Sequence, residues 1–126
     1  MSMIKYPYRT VQVISVKKVY NKLVRAKIPE IIEKSGKEFS YKIISDEEYV
    51  KALKDKLIEE AIEVSKANRS NIMEELADVL EVIEAFKVLY SIDPFQLECE
   101  RQEKAMEKGG FNRKCFLEYV IEEDEI

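Results

Sequence analysis

The sequence contains no histidine, and that absence narrows the chemistry open to it. Without an imidazole, the serine–histidine and cysteine–histidine nucleophile schemes and the histidine-bearing zinc sites are excluded. Any acid–base step falls to carboxylates, lysines, tyrosines or metal-bound water. Glycine and proline are also scarce, at three each, which favours long helices over a turn-rich β fold.

Cysteine and long apolar runs are equally sparse. Cys99 and Cys115 are too few for a disulfide framework, and neither has metal-ligating residues nearby in the sequence. No apolar run approaches the about 18 residues of a membrane span. The opening residues MSMIKYPYRT lack the apolar core of a signal peptide. We therefore expect a cytoplasmic, reduced protein with no membrane partner.

Length and composition predict one soluble globular domain. The 126 residues, 46% hydrophobic and 37% charged, suffice for a single core. We expect an N-terminal extension over 1–20, a helical core over 21–113, and a C-terminal segment with an acidic tail over 114–126. The 21 basic and 25 acidic residues leave a net charge of −4, which argues against nucleic-acid binding by electrostatics.

Start and stop signals predict an all-α helical bundle. Proline or a capping residue marks each helix start, and glycine marks two of the ends. The predicted helices are Ile28–Ser35, one from the Ser45/Glu48 capping box to about Asn68, one from Asn71 with Glu74 (or from Ser70) to about Tyr90, and one from Asp93-Pro94 to Gly109-Gly110. The β-branched runs Thr10–Val19 and Cys115–Ile121 predict short terminal strands, which would pair with each other or with a neighbouring subunit.

The two long helices share a pattern of acidic residues beside an apolar stripe. Leu53, Leu57, Ala61 and Val64 form the stripe of the first, and Leu76, Val79, Ile83 and Phe86 that of the second. At about 100° per residue, Glu60 and Glu75 fall inside the edges of these stripes, with Glu63 and Asp78 at their flanks. Each helix thus turns an acidic pair, spaced i and i+3, toward its partner.

Four facing carboxylates would repel one another and hold protons unless a cation neutralised them. Mg²⁺ takes about six oxygen ligands and keeps waters or phosphate oxygens among them. The pattern therefore predicts a Mg²⁺ site, with Mn²⁺ as the alternative ion, held by Glu60, Glu63, Glu75 and Asp78. The competing interpretation is a pair of surface helices with solvated acids, aided by i,i+4 pairs such as Lys56 with Glu60.

Basic residues stand before the first predicted helix and around the end of the last. A helix N-terminus with adjacent cations suits phosphate oxygens, which makes Lys22 and Arg25 candidate phosphate contacts. Lys108 and Arg113 are weaker candidates, and Asn21 is a candidate for sugar or base. The alternative is that these residues are solvated, or that those near the last helix complement its C-terminal dipole.

Three blocks resemble the MazG-like nucleoside triphosphate pyrophosphohydrolases, an all-α superfamily that also holds phosphoribosyl-ATP pyrophosphohydrolase. They are the acidic pattern of Glu59, Glu60 and Glu63 followed by Glu75 and Asp78; YNKLVRAKIPEII at Tyr20–Ile32; and KGGF at Lys108–Phe111. The resemblance covers roughly 20–113. One residue departs from it, because Ala26 stands where the branch usually has aspartate.

The resemblance implies a Mg²⁺-dependent enzyme. It would cleave between the α and β phosphates to give a monophosphate and pyrophosphate, as house-cleaning of non-canonical nucleotides. It also implies a helical homo-oligomer, a dimer or tetramer, as do the second apolar side formed by Ile58 and Ile62 and the small core of three helices. The alternatives are phosphoribosyl-ATP hydrolysis in histidine synthesis and a non-catalytic helical scaffold, which Ala26 makes worth testing.

Overall fold

The computed structural model describes residues 14–123, which carry four α-helices and no β-strand. The helices are α1 (Ile28–Lys34), α2 (Asp46–Lys66), α3 (Ile72–Leu89) and α4 (Pro94–Lys108). The predicted all-α class is therefore confirmed. The chain divides into two compact units, Met1–Phe39 and Ser40–Ile126, and each is treated by itself below.

The first unit contains α1, whose ends match the sequence signals to within one residue. Pro29 lies in its first turn, and Gly36 follows the C-cap with φ of +78°, a left-handed backbone that glycine adopts without a Cβ penalty. The N-cap is Lys27, which makes no side-chain cap bond. Ala26 thus precedes the cap position, so an aspartate there would not be the N-cap of this helix.

The second unit begins with α2, which the predicted capping box starts. The Ser45 hydroxyl accepts from the backbone N–H of Glu48 at 3.1 Å, and the Glu48 carboxylate accepts from the Ser45 N–H at 3.5 Å. Two N–H groups without a helical partner are satisfied in this way. The helix ends at Lys66, two residues before the predicted Asn68.

Asparagine and serine side chains close the connection 67–71 between α2 and α3. The N–H of Asn68 donates to the Asn71 side-chain oxygen at 2.8 Å, and the N–H of Ser70 donates to the Asn68 side-chain oxygen at 2.9 Å. Asn71 is the N-cap of α3, but its side chain makes no cap bond. The predicted box with Glu74 is therefore wrong, because Asn71 uses its oxygen to hold the turn instead.

The two long helices pack against each other, and their inner faces hold the most buried side chains described. Leu53 of α2 is 2% exposed and Val82 of α3 is 6% exposed. Two residues of the predicted stripes lie outside this face, since Ala61 is exposed and Leu76 is 47% exposed. The contact is rotated toward the carboxylate side of each helix, which moves Glu60 and Glu75 from the edge of the stripe toward its middle.

Helix α4 follows with a well-formed start and end. The Asp93 carboxylate accepts from the Phe95 N–H at 2.8 Å, and Gly109 ends the helix at φ +83° and ψ 175°. No residue of α4 is buried. The hydrogen bond from Arg101 is the main cause that lowers the pKa of Glu98 to about 2, and the charge of Lys87, near the end of α3, adds to it.

The predicted terminal strands are absent from the part of the chain that is described. Residues 14–19 and 115–121 form no strand, while residues 10–13 lie outside the described range. A strand requires a hydrogen-bonded neighbour. The side chains here are instead exposed, as at Val16 and Phe116. Among residues 14–123 there is also no helix with the length and apolar character needed to cross a membrane.

Candidate metal centre

Three carboxylates from the facing helices converge at the α2–α3 contact. One oxygen from each of Glu60, Glu75 and Asp78 lies within 4.8 Å of the other two. Glu60 is 8% exposed, and the other two residues are half-buried. Charged carboxylates are rarely buried without a compensating partner, so this grouping needs one.

Residue spacing along α2 and α3 positions these three carboxylates. Glu75 and Asp78 lie three residues apart, close to one turn of α3, so they share its inner side. Glu60 projects from the inner face of α2, seven residues after the buried Leu53, which is nearly two helical turns. The rotated helix contact thus brings three of the four predicted ligands together.

Glu63, the fourth predicted ligand, lies at the margin of this grouping. Its side chain is exposed, and it is not part of the set within 4.8 Å. After burial and the charge of Asp78, its charge is the next cause that raises the pKa of Glu75. The structure thus gives three converging carboxylates with a fourth close by.

The electrostatics of the cluster favour a bound cation. Burial is the largest cause that raises the pKa of Glu75 above its ordinary value, followed by the negative charges of Asp78, Glu63, Glu60 and Glu74. Each of these effects penalises the ionised form, and a divalent cation would reverse the balance by attracting every carboxylate at once.

The spacing of the oxygens suits Mg²⁺. Ligand oxygens at 2.0–2.1 Å from the ion lie at most about 4.2 Å apart across an octahedron. The three oxygens, within 4.8 Å of one another, need only a small side-chain adjustment to reach this separation. They would fill half of about six positions and leave the rest for water or phosphate oxygens. Oxygen-only donors are also the ligands that Mg²⁺ and Mn²⁺ prefer.

Lys56 pairs with one carboxylate of this cluster. Its Nζ lies 3.2 Å from a carboxylate oxygen of Glu60 and 3.4 Å from one of Glu59. The predicted i,i+4 pair with Glu60 is therefore confirmed, but the pair is not a solvated one, because the Lys56 side chain is only 17% exposed. Glu59 is half-buried as well. The i,i+4 spacing indicated this pair, whereas its burial depends on tertiary packing.

The predicted substrate contacts lie in both units. Asn21, Lys22 and Arg25 belong to the first unit, upstream of α1, and all three are exposed. Asn21 has a left-handed φ of +44°, and the Lys22 Nζ lies 5.6 Å from the centre of the Tyr20 ring. Sequence reasoning missed the aromatic partner, although Tyr20 stands only two residues before Lys22. The positions of these residues relative to the carboxylates stay a prediction.

Two further candidates lie at the end of the second unit. Lys108 occupies the last turn of α4, where a cation complements the helix dipole, and Arg113 follows in the next turn. Both are exposed. Their contact with phosphate also stays a prediction.

Comparisons of the chain with protein-family models, curated proteins and solved structures found no match. The MazG-like resemblance of the three sequence blocks stays a prediction. The chemistry of the site therefore rests on its own geometry.

Proposed function

We propose that this protein is a Mg²⁺-dependent nucleoside triphosphate pyrophosphohydrolase of the MazG-like kind, which releases a monophosphate and pyrophosphate. The observation that carries the proposal is the convergence of Glu60, Glu75 and Asp78 within 4.8 Å on two packed helices. The resemblance of three sequence blocks supplies the reaction and a cytoplasmic house-cleaning role against non-canonical nucleotides.

In this proposal the carboxylates bind Mg²⁺, or Mn²⁺, with Glu63 as the fourth acidic residue of the centre. The bound ion would neutralise phosphate charge and orient water. The residues of the chain fix the site and take up protons. One of these carboxylates would accept the proton released from the attacking water.

Substrate binding is assigned to exposed cations. Lys22 and Arg25 would contact phosphate oxygens, with Lys108 and Arg113 as second contacts, and Asn21 would donate to sugar or base. These groups add positive charge for the phosphates, since the charge of Lys56 is engaged with Glu59 and Glu60. A triphosphate carries several negative charges, so it needs such contacts in addition to the metal ion.

A homo-oligomer, a dimer or tetramer, forms part of the same proposal. The α2–α3 hairpin leaves large apolar side chains exposed, at Ile58, Ile62, Leu76 and Leu80. Large apolar side chains that stay exposed on packed helices are typical of a surface that another copy of the chain covers. Light scattering of Ile62→Glu against wild type tests this. We expect the variant to shift to the monomer. A variant that keeps the oligomeric mass of the wild type would place the interface elsewhere, and a monomeric wild type would contradict the oligomer.

The decisive experiment is a panel of normal, deaminated and oxidised nucleoside triphosphates, with and without Mg²⁺, followed by identification of the products. We expect monophosphate and pyrophosphate that depend on the metal ion. No hydrolysis of the panel with rapid turnover of phosphoribosyl-ATP would instead indicate the histidine-synthesis reaction. No hydrolysis of either, together with no stabilisation by Mg²⁺, would identify a non-catalytic scaffold.

A further inference from the structure

Lys56 is held between two adjacent glutamates on the covered side of α2. Its ammonium lies 3.2 Å from Glu60 and 3.4 Å from Glu59, one helical turn ahead of both. A lysine side chain loses considerable rotamer freedom when it is ordered in this way. The two contacts and the burial therefore define a fixed positive charge at the edge of the acidic cluster.

The same carboxylate serves two partners. Glu60 pairs with Lys56, and Glu60 also belongs to the three carboxylates that lie within 4.8 Å of one another. An ammonium and a divalent cation repel each other, and the repulsion is strong across a few ångströms in a partly buried site. The Lys56 ammonium and a divalent cation therefore cannot both pair closely with Glu60. Glu59 offers the ammonium a second acceptor outside the three-carboxylate set.

We propose that Lys56 is a resident counter-ion of the acidic cluster: it neutralises Glu60 while no divalent cation is bound, and Glu59 retains it once a cation occupies the cluster. This inference rests on the proposed function, since it takes a divalent cation as the ligand. Lys56 then stabilises the metal-free protein and weakens cation binding. Glu59 receives a role as the holding residue for Lys56 without being a metal ligand.

The test is a calorimetric titration of Mg²⁺ into the full-length chain at about pH 8, where carboxylates are largely ionised. Lys56→Met removes the charge and keeps much of the apolar stem. We expect the Kd for Mg²⁺ to fall by about tenfold, the change that a unit charge near a divalent ion produces in a partly exposed site. Lys56→Arg keeps the charge and should bind Mg²⁺ as the wild type does.

The matched control is Lys51→Met. Lys51 lies on the same helix and makes the same i,i+4 contact, 3.3 Å to Asp55, but its side chain is 84% exposed. This variant should leave the Kd for Mg²⁺ within about twofold of wild type, as expected for a surface pair. If Lys56→Met does not fold, Lys56→Gln replaces it, because glutamine keeps a hydrogen-bond donor for Glu60 without the charge.

Thermal unfolding supplies a second readout. Without Mg²⁺, Lys56→Met should melt below the wild type, and saturating Mg²⁺ should raise its midpoint by more than it raises that of the wild type. A purely structural role for Lys56 would lower the midpoint equally with and without the ion, and it would not tighten Mg²⁺ binding. That result would overturn the inference.

Glu59→Gln tests the holding residue. It should weaken Mg²⁺ binding more in the wild-type background than in Lys56→Met, because only the former has an ammonium to hold. Equal weakening in both backgrounds would overturn the role given to Glu59. A wild-type chain that binds no Mg²⁺ would overturn the metal centre together with this inference. A wild type that binds Mg²⁺ beside a Lys56→Met variant of unchanged or weaker affinity would overturn the role of Lys56 alone.

Discussion

Replacement of Glu75 by glutamine separates the contribution of this carboxylate to metal-dependent activity from its effect on the stability of the metal-free protein. Glu75 sits toward the middle of the α2–α3 contact, and burial and four neighbouring acids raise its pKa. Glutamine keeps the size of the side chain and removes its charge. We therefore expect opposite effects on activity and on the stability of the metal-free protein.

The loss of activity follows from the number of ligands. Changes in groups that merely support a metal ligand cost about 10–100-fold in affinity or activity. Glu75 is one of three converging carboxylates, so its neutralisation should lower kcat/KM for Mg²⁺-dependent hydrolysis by at least about 100-fold. The helical circular-dichroism signal should stay unchanged.

The gain in stability follows from the sign of the pKa shift. A carboxyl whose folded pKa is raised above the ordinary 4.5 costs the native state stability once the pH rises through the folded pKa, and costs nothing below the unfolded value. Glutamine does not ionise. Without metal, the melting temperature of Glu75→Gln should therefore equal that of the wild type at about pH 4 and exceed it at about pH 8.

The assays are pyrophosphate release with the best triphosphate of the panel and thermal unfolding in a chelator at both pH values. Glu74→Gln is the matched control, because it removes the same charge from the adjacent residue, which is exposed on α3. It should retain most of the activity. Undiminished turnover in Glu75→Gln would refute the metal assignment, and a lower melting point at about pH 8 would refute the electrostatic account.

Five further substitutions test the fold by urea unfolding. Leu53→Ala empties a side chain that is 2% exposed and should cost about 2–5 kcal/mol; a smaller loss would mean that the α2–α3 contact is loose. Gly109→Ala should cost about 1–3 kcal/mol because its φ of +83° with ψ of 175° is essentially confined to glycine. Gly110→Ala, whose Cβ would meet only an ordinary contact at 3.8 Å, should be nearly neutral, and equal costs at the two glycines would contradict this. Ser45→Ala should cost about 1 kcal/mol through the lost cap, and Asn71→Ala should act through the 67–71 turn instead, so it should lower the stability of α2 and α3 together.

Helix ends were predictable wherever one side chain decides them. Ser45 and Asp93 cap α2 and α4, and a glycine with positive φ follows α1 and ends α4. These signals act over three or four residues, so they need no knowledge of the rest of the chain. Asn71 escaped the same reasoning because its oxygen had two N–H groups within reach, and the geometry of the turn decided between them.

The rotation of the two helices about their axes was harder to predict from the sequence. Periodicity placed Ala61 and Leu76 in the stripes, yet both are exposed, because hydrophobic patterning fixes a face only to within a residue on either side. The contact turned toward the acids instead, and this placed Glu60 and Glu75 together while it left Glu63 at the margin. Burial of the Lys56 pair likewise depends on tertiary packing, which helical periodicity does not give.

The turn 67–71 also acts as a phase constraint. Glu60 lies before it and Glu75 after it, so the length of this connection sets the angle at which the second carboxylate faces the first. One residue inserted here would break the side-chain hydrogen bonds of Asn68 and Asn71 that hold the turn. Changes in chain length within 37–44 or beyond Gly109 should leave the acidic site intact, whereas one residue inserted between Glu75 and Asp78, inside α3, would turn one carboxylate about 100° away from the other.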